Sequence, residues 1–141
     1  MAEFIAHHVG SGLYEPVCPN CGSDYLHHET VTVFNRRRED DIMAQRTTVA
    51  PDGSIRSEMA DSYGSGNPSS RRDGLTIRFS CEGCEYVSTL GIAQHKGNTQ
   101  ISWVSIVPDD TEDSWQPFSG AYFSIDIAEV MNRRKIVRLF A

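Results

Sequence analysis

The chain has 141 residues, enough for one domain or for a small domain with extensions. Hydrophobic residues make up 39% and charged residues 23%, which excludes a chain too polar to collapse. The formal charge of −6 argues against indiscriminate binding to phosphate backbones, and four thiolates on one Zn²⁺ would carry it to about −8.

No apolar run approaches the roughly 20 residues needed to span a bilayer. Residues Met1 to Gly10 lack the basic start and apolar stretch of a signal peptide. A cytoplasmic location without membrane attachment is therefore expected. In that compartment clustered cysteines bind metals more often than they form disulfides.

In chain order, residues 1–17 read as an N-terminal arm. Cys18-Pro-Asn-Cys21 follows, with Gly22 supplying backbone freedom after the pair. Residues Tyr25 to Phe34 read as a strand, Val31 and Val33 on one face and Thr30, Thr32 and Phe34 on the other. An insertion then occupies about residues 36–73. Within it, Pro51-Asp52-Gly53 suits a type I turn with a glycine bulge, joining Gln45–Ala50 to Ser54–Glu58. Asp61 to Gly74 is too rich in Ser, Gly, Asn and Pro for regular structure. Leu75 to Cys81 alternates as a strand, with Leu75, Ile77 and Phe79 on the face of Cys81.

The second pair, Cys81-Glu-Gly-Cys84, carries its own glycine, Gly83, expected to supply the same backbone freedom. Beyond it, Gly97-Asn98 is expected to turn a hairpin. That turn pairs Lys96 with Thr99, Gln94 with Ile101, Ile92 with Trp103 and Leu90 with Ser105. Leu90, Ile92, Ile101 and Trp103 then share one apolar face. Residues 108–141 read as an acidic linker and a C-terminal extension. Ser124 to Phe140 is assigned a helix with Glu129 four residues before Arg133, while Ile125 and Ile127 suit a strand equally well.

Two residues between ligands let a tight turn aim both sulfurs at one ion, and two such turns complete a tetrahedron. Cys18, Cys21, Cys81 and Cys84 are therefore expected to bind one structural zinc per chain. The same ligands suit a rubredoxin-like iron; a thioredoxin-like redox pair and two disulfides are the further alternatives. The 59 residues between Cys21 and Cys81 exceed the usual gap. Loop closure grows only logarithmically, so the excess costs roughly 1 kcal/mol, against about 10–16 kcal/mol for structural zinc binding.

The segments CPNCGSDYLHH, NPSSRRDGLTIRF, CEGC and IAQHKGNTQISW, within residues 18 to 103, resemble a zinc-ribbon domain. More narrowly, they resemble short zinc-ribbon proteins of actinobacteria and their phages. The resemblance covers about residues 18 to 103 and implies a two-knuckle zinc ribbon. With the residue pattern, the fold expected is mostly β, a zinc ribbon over residues 18–107 with its hairpin and long insertion, and a possible helix in the C-terminal extension, which lies outside the resemblance. The resemblance implies the four ligands and carries no activity.

Candidate contacts with an anion or nucleic acid are Ser69, Ser70, Arg71 and Arg72, whose hydroxyls and guanidiniums could grip a phosphate or carboxylate. The competing reading pairs Arg71 and Arg72 with Glu39, Asp40 and Asp41. Arg36, Arg37 and Arg38 form a second cluster, neutralised by the acids that follow, and Arg133, Arg134 and Lys135 a third. His27, His28 and His95 are read as surface or supporting residues. The sequence holds no Ser/His/Asp arrangement and no phosphate-binding glycine loop, so neither catalysis nor a small-molecule substrate is expected. The expected function is a zinc-ribbon binding module within nucleic-acid machinery. The alternative is a phage-type or assembly protein whose ribbon docks on a protein partner.

Overall fold

A computed structural model describes residues 2–109 and 138–139. The fold is mostly β: the described residues form two antiparallel sheets and no helix, so none is long and apolar enough to cross a membrane. Strands β1 (Ala6–Gly10) and β2 (Leu13–Pro16) make a hairpin of their own. The main sheet holds β3 (Leu26–Asn35), β4 (Met43–Val49), β5 (Ile55–Asp61), β6 (Gly74–Cys81), β7 (Tyr86–His95), β8 (Asn98–Pro108) and β9 (Arg138–Leu139). Its order is β5-β4-β3-β6-β7-β8-β9. The insertion therefore extends the sheet: β4 and β5 add two strands outside β3.

The turn between β4 and β5 forms as its residues demand. Gly53 N–H donates to Ala50 O at 2.9 Å, and Ala50 N–H to Ser54 O at 2.9 Å. Pro51 presets the first corner of such a turn. Residues between Asp61 and Gly74 form no strand, as their composition requires.

The β7–β8 hairpin corrects the expected register. The turn residues are Lys96 and Gly97, with φ of 48° and 86°, and His95 pairs with Asn98. Two positive φ values define a type I′ turn, whose second position favours glycine. Placing Gly97 there moves the turn back by one residue. Ile92 consequently faces Ile101, Gln94 faces Thr99 and Leu90 faces Trp103; a bulge after Thr89 sets Ser105 opposite Thr89. The slip along the partner strand is two residues as far as the bulge, which leaves Leu90, Ile92, Ile101 and Trp103 on their expected face, while beyond it Ser105 moves to the face of Thr89.

Registers across the sheet define its two faces. One row runs Ile55, Val49, Val31, Ile77, Leu90, Trp103. Its exposure falls from 70% at Ile55 to 0% at Trp103. At the buried end Phe79, Leu90 and Trp103 form the core, with Phe79 edge-on to the indole at 5.6 Å. The N-terminal arm closes this end. Ala2 exchanges two backbone hydrogen bonds with Trp103, both 3.1 Å, and the Phe4 ring lies 6.2 Å from the indole.

The opposite face carries Thr30, Thr32, Phe34, Ala44, Arg46 and Thr48, all buried. The loop after β5 lies over part of it: a methyl group at Gly91 would sit 3.0 Å from Pro68 Cβ. Arg46, 1% exposed, donates to Ser65 O at 3.1 Å and pairs with Glu58 at 2.6 Å. The helix expected over residues 124–140 lies outside the described residues, apart from Arg138 and Leu139. Those two pair with Ile106 and Ser105 as a strand.

Two substitutions test this packing by chemical denaturation. Trp103→Ala is expected to cost about 3–5 kcal/mol, because it empties the core. Glu58→Ala is expected to cost about 2–4 kcal/mol, because it strands the buried Arg46 charge, discounted for the partial exposure of Glu58.

Candidate metal centre

Cys18 follows β2 and Cys21 ends the first turn, where Gly22 N–H donates to Cys18 O at 2.9 Å and Cys18 N–H to Ser23 O at 2.7 Å. Gly22 has φ of 82°, so the freedom its position was expected to need is used. Cys81 ends β6 and Cys84 precedes β7. The pairing of Leu26 with Cys81, and the Glu82 N–H bond to Tyr25 O at 3.0 Å, hold one turn against the other.

All four Sγ atoms lie within 4.8 Å of one another. Cys21 and Cys81 are 3.5 Å apart, Cys18 and Cys84 3.8 Å. A tetrahedron with metal–sulfur bonds of about 2.3 Å has edges of about 3.8 Å. These separations therefore suit four ligands around one ion, and far exceed a disulfide of about 2.05 Å. The four cysteines are free. They are positioned to hold a metal ion.

The turns also supply donors to the sulfurs. Gly83 N–H donates to Cys81 Sγ at 3.3 Å, and the Asn20 amide to Cys84 Sγ at 3.5 Å. Burial pushes the Cys18, Cys21 and Cys81 thiols above their ordinary value. Burial acts the same way on Cys84, but the Asn20 amide, the Tyr86 backbone and the neighbouring thiols hold it below. A bound cation opposes that burial effect, because a ligand thiol gives up its proton.

Gly83 matters for space. A methyl group there would lie 2.8 Å from Ser23 Cβ and 3.2 Å from Cys21 Sγ. Its φ is not positive, so close approach of the two turns, and not backbone freedom, fixes glycine at this position.

Of the expected anion-binding residues, Ser69, Arg71, Arg72 and Arg36 are brought together and bonded to groups of the same chain. Arg71 forms two hydrogen bonds to Asp40, both 2.9 Å, and an ion pair with Glu39 at 2.6 Å. Arg72 pairs with the other Glu39 oxygen at 2.8 Å. Ser69 Oγ donates to Gln94 O at 2.8 Å and accepts from Arg72 N–H at 3.0 Å. Arg36 donates to the Ser70 carbonyl at 3.1 Å through its guanidinium and to Asp73 at 2.8 Å through its backbone. The result is a clasp between the residues after β3 and the loop after β5. Arg71 holds the Asp40 carboxyl below the usual carboxylate range. That pair's contribution is complete above the ordinary aspartate value of about 3.9 and is lost as pH falls through the depressed one.

Arg37 and Arg38 are exposed on the turn after β3. His27 pairs with Glu82, and His28 and His95 are exposed, so no histidine joins the four sulfurs. Arg133, Arg134 and Lys135 lie outside the described residues. Sequence reasoning missed Asn20 as a sulfur donor, the Ala2 bridge and the buried Arg46. The first lies within a cysteine pair, where a side-chain amide is a readable signal; the others depend on distant segments.

Cys81→Ser is expected to abolish metal retention and to lower the melting temperature sharply. Gly83→Ala is expected to weaken both, through the clash with Ser23 and Cys21. Metal content of the purified variants and thermal melts read out the two effects.

Comparison with protein-family models, with curated proteins and with solved structures finds no match to this chain.

Proposed function

We propose that this chain is a non-catalytic, zinc-ribbon-like binding module in which one structural zinc ion is held by Cys18, Cys21, Cys81 and Cys84, and that its partner is a protein. Four thiolates complete a tetrahedral shell and leave no position for a reactive water, which supports a structural role for the ion. The ion would tie the turn after β2 to the β6–β7 turn.

The observation that carries the choice of partner is the clasp of Arg71, Arg72 and Arg36 with Glu39, Asp40 and the Ser70 carbonyl. Guanidiniums held by carboxylates of the same chain have little left to offer a phosphate. The net charge of −6 acts in the same direction. The apolar row from Ile55 to Ile77 offers a protein a surface that a nucleic acid would not use.

The second reading, direct association with nucleic acid, is favoured by one feature. Arg37 and Arg38 are exposed and form no side-chain ion pair among the described residues.

Binding to DNA and RNA at low salt, repeated as salt rises, separates the two readings. The protein-partner reading predicts no salt-sensitive complex. It also predicts that Arg71→Ala with Arg72→Ala lowers the melting temperature slightly, since exposed pairs contribute little. A complex whose affinity falls steeply with salt, and which weakens in Arg37→Ala with Arg38→Ala, would establish the nucleic-acid reading instead.

A further inference from the structure

The two long edges of the main sheet differ. On one side β8 is covered by Ala2 beside Trp103 and by β9 beside Ser105 and Ile106. On the other, no strand among the described residues pairs with the outer edge of β5. An uncovered edge presents backbone donors and acceptors in a row, and folded proteins usually blunt it with inward-pointing charge, proline or a bulge. Strand β5 has no proline, its register with β4 runs unbroken from Ile55 to Asp61, and its inward carboxylate, Glu58, is already neutralised by Arg46. Its outward side chains include two large apolar groups, Ile55 at 70% exposure and Met59 at 57%.

The order of residues along β5 supplies the occupant. In an antiparallel pair of two identical strands related by a two-fold axis at Ser57, Ser57 faces its own copy. Ile55 then faces Met59, and Arg56 faces Glu58, each twice by symmetry. Apolar meets apolar on one face and opposite charges meet on the other, which is the pattern that stabilises cross-strand neighbours. Centring the axis one residue later at Glu58 would instead set two carboxylates against each other. The chosen register also extends the apolar row that begins at Trp103, since Ile55 would gain Met59 of the second copy as its next neighbour.

We propose that β5 is a homodimerisation edge, at which a second copy of this chain adds its own β5 antiparallel about a two-fold axis at Ser57 and joins two sheets into one. The pairing concerns the edge of the sheet and depends neither on the identity of the metal nor on the partner proposed above. A seven-residue edge is short for an interface, so the dimer is a weak one whose population rises with concentration.

Sedimentation equilibrium on the full chain, across a wide concentration range, tests this. The expected mass rises from 15.7 kDa toward twice that value. Ile55→Lys and Met59→Glu, made separately, are each expected to raise the dissociation constant about tenfold. Both side chains are exposed, so circular dichroism and metal content should match the unaltered chain. Mixing the two variants sets the introduced lysine against the introduced glutamate at one contact and restores Ile55 against Met59 at the other. The mixture is therefore expected to form a heterodimer that neither variant forms alone. A single mass of 15.7 kDa at every concentration would overturn the proposal. A dimer indifferent to both substitutions, or no recovery on mixing, would overturn it equally.

Discussion

Two short turns, one after β2 and one between β6 and β7, set four sulfurs within 4.8 Å of one another, and the rest of the sheet is arranged around that convergence. Between the turns lie 59 residues that contribute β3, β4, β5 and most of β6. Closing so long a segment costs little more than closing a short one, because the entropy grows with the logarithm of its length. The insertion repays part of that cost itself. Its strands pair along β3, and its arginine clasp joins the residues after β3 to the loop before β6. The proposed zinc ion would supply the remaining closure, on a scale that exceeds any single contact in the fold.

The two faces of the main sheet solve different problems. On the face of Phe34, polar side chains are buried, and the Arg46 charge is paired with Glu58 while its second terminal nitrogen donates to the Ser65 carbonyl. A guanidinium placed there ties β4, β5 and the following loop to one geometry, since moving any of them leaves a buried charge unpaired. On the other face the row from Ile55 to Trp103 grades from open to closed. The N-terminal residues Ala2 and Phe4 complete the closed end. The arm is therefore a working part of the core, although its hairpin stands in a sheet of its own.

The ligands were legible in the sequence because ligand spacing is local: two residues between cysteines define a turn whatever surrounds it. The turn at Pro51-Asp52-Gly53 was legible for the same reason. The faces of β3, β6, β7 and β8 followed from alternation, but the register of the last two strands did not. Gly97 could occupy either turn position, and a two-residue slip changes no face. The β1–β2 hairpin left no signal, since none of its strand residues is buried and most are exposed on both sides. Arg46 was equally silent, because its burial depends on a loop nineteen residues further on. Among the anion-binding candidates, pairing of Arg71 and Arg72 with Glu39 and Asp40 had been one of two readings. Only the fold, by bringing the loop to the turn after β3, could choose between them for the described residues.

The central claim is that all four sulfurs bind one ion. Zinc K-edge X-ray absorption on the purified 141-residue chain reads the shell directly. The account predicts four sulfur scatterers at about 2.3 Å with no nitrogen or oxygen in the shell. A shell containing nitrogen or oxygen, or a protein that carries no zinc while its cysteines are joined as disulfides, would contradict it.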